Sequence, residues 1–242
     1  MEYAKTGVRD EVRAGQKYLV PLKNNLLYVA AAASVLCLTL ILFRKSFSGN
    51  NDYPPLLFNL VIAWLPLVLS TTFLYLVRIL PQKLLRPWVI DMAPIWLLFL
   101  PNAPYLLTDY VHIFANAAYH SYPLDHFLLW YDLILFFVYS FCGVFIWFLS
   151  VRHFQTVVTR RLNKRSGWWF VVGICLVTGF GIFLGRVLRL YTWDVMLNPL
   201  LLGRRLGRIL TVECLSFTAL FGFFLLAMYL VLHFLARKDP RN

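Results

Sequence analysis

Asp109 and His112 stand three residues apart, and so do Arg186 and Arg189. At that spacing on a helix, two side chains share a face. A carboxylate beside an imidazole can supply general acid–base chemistry, and two neighbouring guanidiniums can grip a phosphate or a carboxylate. Asp132 is a second candidate base. It lies about a turn and a half inside an apolar run, where a carboxylate has to be paired or neutral. Asp194 and the Asn102 amide complete the polar set: Asp109, His112 and Asp132 are the catalytic candidates, and Arg186, Arg189, Asn102 and Asp194 the substrate- or anion-binding ones. Asp109, His112 and Asp132 do not follow a recognised metal-ligand pattern. No metal is therefore assigned, and the residues leave any cofactor open.

Each candidate also has a simpler explanation. Arg186 and Arg189 can snorkel to headgroups, and Asp109 with His112 can form a loop hydrogen bond. Glu213 opens an apolar run, where the helix dipole alone favours an acid.

These residues are held by a chain of 242 residues that is 60% hydrophobic, 17% aromatic and 14% charged. Its mean hydropathy of +0.68 is too apolar for a soluble domain of this size. A membrane helix needs about 20 apolar residues, and six runs qualify: 24–43, 55–77, 88–107, 127–150, 168–190 and 212–235. The reading is all-α, a polytopic six-helix membrane bundle. It has a tail at 1–23, one transmembrane domain at 24–235 and a second tail at 236–242. The first run follows a polar stretch and is followed directly by Arg44 and Lys45, so it reads as a spanning helix, not a cleavable signal. Cys37, Cys142, Cys175 and Cys214 lie singly in or at apolar runs and read as packing thiols.

The formal charge of +12 would suggest nucleic acid in a soluble protein. Here its distribution argues for topology instead. With both termini in the cytoplasm, 16 of the 23 Lys and Arg residues fall inside and 7 outside, as the positive-inside rule requires. The partners expected are membrane lipids and a candidate membrane protein partner, with no nucleic acid. Five of the outer basic residues belong to one loop region: Arg186, Arg189, Arg204, Arg205 and Arg208. Topology does not account for them. The stretch Asn198–Leu210 reads as a short interfacial helix, and Gly181 with Gly185 as a close-packing seam.

The third run ends in Leu100-Pro101-Asn102-Ala103-Pro104-Tyr105, with Thr108, Asp109 and His112 following. Two prolines remove backbone donors, so regular α-geometry is expected to fail between Leu100 and Leu107, aiming the Asn102 amide into a cavity. Asp91, 18 residues before Asp109, lies about 27 Å away along a helix. It is expected to pair with Arg78, Lys83 or Arg86. Asp109, Asp132, Arg186 and Arg189 are expected at one depth, in one pocket.

Leu98–Tyr105 with Thr108, Asp109 and His112, then Trp130-Tyr131-Asp132, then Gly185-Arg186 with Arg189 and Trp193-Asp194-Val195, resemble the bacterial membrane-protein family called domain of unknown function 1361. The resemblance covers about residues 55–235 and implies a multi-helix protein of a bacterial cytoplasmic membrane. It brings no activity with it. Three readings stay open: a non-catalytic component whose polar network packs helices or docks a partner, an enzyme acting on a phosphate-bearing lipid or cell-wall precursor, and a transporter of an ion or small solute.

Overall fold

Backbone N–H and C=O groups must be satisfied within the chain where water is absent, so apolar stretches of this length form helices. The computed structural model describes residues 24–48, 55–79, 82–115, 127–189 and 209–236. All regular structure among them is helical: α1 (Asn24–Ser48), α2 (Pro55–Ala63), α3 (Leu65–Ile79), α4 (Gln82–Phe99), α5 (Asn102–Tyr105), a 3₁₀ turn (Leu106–Tyr110), α6 (Val111–Ala115), α7 (Phe127–Arg161), α8 (Lys164–Arg186) and α9 (Val212–Leu235).

Among the described residues, five stretches are long and apolar enough to cross a membrane: Leu26–Ser46, Pro55–Val77, Phe127–Arg161, Lys164–Arg186 and Val212–Leu235. The expected run at 88–107 is not one of them. It is divided among α4, α5 and the 3₁₀ turn. A second interruption, inside the run expected at 55–77, falls at Trp64 between α2 and α3. Pro66 sits in the first turn of α3, where its missing donor costs nothing, and its carbonyl accepts from Ser150 Oγ at 2.8 Å.

α7 is the pillar. Its middle section is buried on nearly every face, with Tyr139, Trp147 and Phe148 fully enclosed. α1 lies antiparallel to it, because Arg44 meets Asp132 while Ser34 meets Cys142. α2 and α3 lie parallel to it, through Leu56 with Tyr139 and Ser70 with His153. α8 returns antiparallel, with Trp147 Nε1 donating to Thr178 Oγ1 at 3.3 Å. α9 packs on α8 through reciprocal notches. A Cβ on Gly179 would lie 2.8 Å from the Thr218 carbonyl, and one on Gly222 would lie 2.8 Å from Leu176 Cδ2.

These registers reveal a stagger. α2 begins beside Tyr139, and α8 ends there. α7 continues past Tyr139 for twelve more residues to Phe127, about 18 Å, with the second half of α1 alongside. At 35 residues α7 is about 52 Å long, well over the roughly 30 Å of a bilayer core. The helices of this bundle therefore do not end at one level.

Candidate functional site

The break after α4 follows from the local chemistry. The last regular helical bond runs from Leu100 N–H to the Trp96 carbonyl, and Ala103 N–H then reaches only Leu100 O, at 3.4 Å. Asn102 Nδ2 donates to the Phe99 carbonyl at 3.0 Å, replacing the backbone donor that the break removed. The Nδ2 group of the amide thus caps its own helix end. Further on, Thr108 Oγ1 donates to the Tyr105 carbonyl at 2.6 Å, and Ser140 Oγ to Leu106 O at 3.4 Å.

Two neighbouring helices are cut to receive this segment. A Cβ on Gly143 of α7 would lie 2.3 Å from the Ala103 carbonyl, and one on Gly181 of α8 would lie 2.3 Å from Pro101 Cγ. One turn further along α8, Gly185 accommodates the Tyr105 ring, 3.3 Å from where its Cβ would be. The Gly181–Gly185 seam therefore packs against the broken segment and matches its four-residue period.

Arg186, the last residue of α8, closes the arrangement. Its Nη2 donates to Asp109 Oδ1 at 2.8 Å and its Nε to Thr108 Oγ1 at 3.0 Å. Its guanidinium stacks over Tyr105, 4.8 Å from the ring centroid. Asp109 is only 1% exposed and has further partners. Asn59 Nδ2 donates to Oδ2 at 3.2 Å, and the Tyr139 hydroxyl stands between the carboxylate and the Leu56 carbonyl. His112 lies at the edge of the cluster. Its Nε2 is 3.7 Å from Asp109 Oδ1, beyond hydrogen-bonding distance, and its side chain is 39% exposed.

Asp132 is not part of this cluster, which corrects the expected convergence. It pairs with Arg44, the residue that the sequence reading counted with the first loop. Arg44 Nε donates to Oδ1 at 2.8 Å and Nη2 to Oδ2 at 3.2 Å, a two-pronged contact with both side chains buried. Tyr131 supports it by donating to the Leu40 carbonyl at 2.7 Å. Asp132 lies seven residues, about 10 Å, along α7 from Tyr139, so the two acids occupy different depths.

Arg189 is also separate. Its side chain is exposed and forms no ion pair with a described residue. Its backbone, at φ 53°, is left-handed and cannot continue α8. Asp194 lies outside the described residues, as does most of Asn198–Leu210. Asp91 is exposed on α4, and the side chains of Arg78, Lys83 and Arg86 lie outside the described set. Glu213 is exposed in the first turn of α9, which Thr211 caps by accepting from Cys214 N–H. Among the described residues, no group of three or more His, Cys, Asp or Glu side chains is placed to hold a metal.

Sequence reasoning missed Arg44, Asn59 and Tyr139. Asn59 carried a signal, as a lone amide within the apolar run 55–77. Arg44 did not stand out, because it is followed by Lys45 at a helix end, where basic residues are ordinary.

A bundle of long apolar helices tied by internal charge pairs defines a multi-pass helical membrane protein. Residues 58–228 match the family model described as "Protein of unknown function (DUF1361)", and the chain belongs to that family. No curated protein and no solved structure matches it.

Proposed function

We propose that this chain is a non-catalytic component of a bacterial cytoplasmic membrane, crossing it six times with both termini in the cytoplasm. Its polar residues lock a broken helix into the bundle. The sixth crossing is the composite of α4, α5 and the 3₁₀ turn, and the 16-to-7 distribution of basic residues supports the orientation. In that frame the Asp109 and Asp132 clusters face the outer leaflet.

One observation carries the reading. Both buried acids among the described residues are matched by an arginine from another helix of the same chain, Asp132 by Arg44 and Asp109 by Arg186. A carboxylate that acts as a base needs a free lone pair facing its substrate, and an internal guanidinium occupies such lone pairs. A carboxylate sunk among apolar helices for structural reasons requires such a partner.

Substituted-cysteine labelling in intact cells tests the topology, helped by the burial of all four natural cysteines. A cysteine at position 120 reacts before lysis if the orientation is right, and its modification only after lysis contradicts it. The structural role is tested by detergent stability of Arg44→Ala, Asp132→Ala and the double variant. A double variant that loses less than the sum of the two supports the pair, and strict additivity counts against it.

A further inference from the structure

At the opposite end of the bundle, Arg152 of α7 has no matching acid among the described residues. We propose that Arg152 is a binding site for the phosphate of an anionic lipid headgroup, taken between α7 and α9. The reading rests on the chain being membrane-spanning and on no other part of the proposed function.

The guanidinium is half-buried, yet its Nη1 is closed off from solvent and has no hydrogen-bond partner among the described residues. No described carboxylate forms an ion pair with it. A half-buried guanidinium without a described counter-charge is costly, and the part of it that remains accessible can take an anion. Simple snorkelling does not describe the geometry. The Arg152 guanidinium lies over Phe148, 5.8 Å from the ring centroid and one turn back along α7 towards the bundle centre. A snorkelling arginine would extend the other way, towards the α7–α8 hairpin.

The surroundings suit a lipid phosphate. Tyr229 of α9 stands close enough to interact electrostatically with Arg152 and donates its hydroxyl to Gln155 Oε1. Trp168 and His233 pack edge-on with rings 5.1 Å apart, and Trp168 also packs against Tyr229, forming an aromatic wall beside the site. Arg160, Arg161, Lys164 and Arg165 lie exposed around the hairpin, where they raise the local concentration of anionic lipid. Those four attract lipid without geometric selection. Arg152, about 12 Å deeper along α7 than Arg160, would hold one phosphate through charge-assisted bonds from the accessible part of its guanidinium.

The test uses the purified full chain in nanodiscs of phosphatidylcholine with increasing phosphatidylglycerol, read by thermal unfolding, and native mass spectrometry of lipid retained in detergent. In the wild type, phosphatidylglycerol should raise the unfolding temperature and remain bound through mild delipidation. Arg152→Gln should weaken retention about tenfold or more and remove most of the rise, whereas Arg161→Gln should leave both nearly unchanged. Arg152→Lys keeps the charge without the planar fork, should retain part of the effect, and serves if the glutamine variant does not fold. An Arg152→Gln protein with the wild-type response overturns the proposal, as does an Arg152→Lys protein indistinguishable from wild type where Arg152→Gln cannot be folded. Inorganic phosphate reproducing the full stabilisation in pure phosphatidylcholine overturns the assignment to lipid.

Discussion

The two carboxylate–guanidinium pairs of this molecule are built differently. Arg44–Asp132 joins α1 to α7, with side chains 7% and 0% exposed and both carboxylate oxygens engaged by one guanidinium. Asp109–Arg186 is a hub. It draws in Asn59 from α2, Thr108 from the 3₁₀ turn and Tyr139 from α7, and its arginine is 21% exposed. The first pair fastens the overhanging halves of α1 and α7. The second gathers the ends of elements that stop at the Tyr139 level, where a broken segment leaves backbone groups to be satisfied. The first sets the register of two long helices, whereas the second fixes the position of an irregular segment.

Breaking the Arg44–Asp132 pair should have the largest effect. Asp132→Ala or Arg44→Ala removes the bonded partner of a buried charge, at a cost of about 3–5 kcal/mol, readable as reduced thermal stability in detergent. Next come the notches around the hub. Gly143→Val and Gly181→Val push a side chain into Ala103 O and Pro101, and overpacking of this kind costs about 1–3 kcal/mol. Gly173 sharpens the contrast, because a Cβ there meets nothing within 4 Å. Gly173→Ala should instead stabilise, by up to about 1 kcal/mol of helix propensity. Smallest is His112→Ala at the hub's exposed edge. A change within about 0.5 kcal/mol is expected, and a larger loss would move His112 into the hub.

Much of this was legible from residue types. Apolar run lengths located the five long helices, and Pro101 with Pro104 located the break. The prolines were not sufficient for it, since α4 carries Pro87 and Pro94 and remains one helix. The break also needs Gly143 and Gly181 as notches on other helices, and their alignment is a matter of tertiary register. The same limit hid the stagger. Placing Asp109 and Asp132 at one depth assumed that all helices start together, whereas side-chain packing lets α7 run about 18 Å past the end of α8. Periodicity identifies a helix face but not how far one helix slides along another. The partner of Asp132 was therefore out of reach, although Asp109 with Arg186 was within it.

The central claim is that the buried acids serve packing, and it is most exposed to refutation at Asp109 and Arg186, where the arginine and the neighbouring His112 are partly open. The direct measurement is unfolding stability of Asp109→Asn, Arg186→Gln and the double variant in one detergent. Each single change should destabilise, and the double should lose less than the sum, by a coupling of about 1 kcal/mol or more. Single variants as stable as wild type, or losses that simply add, would contradict it.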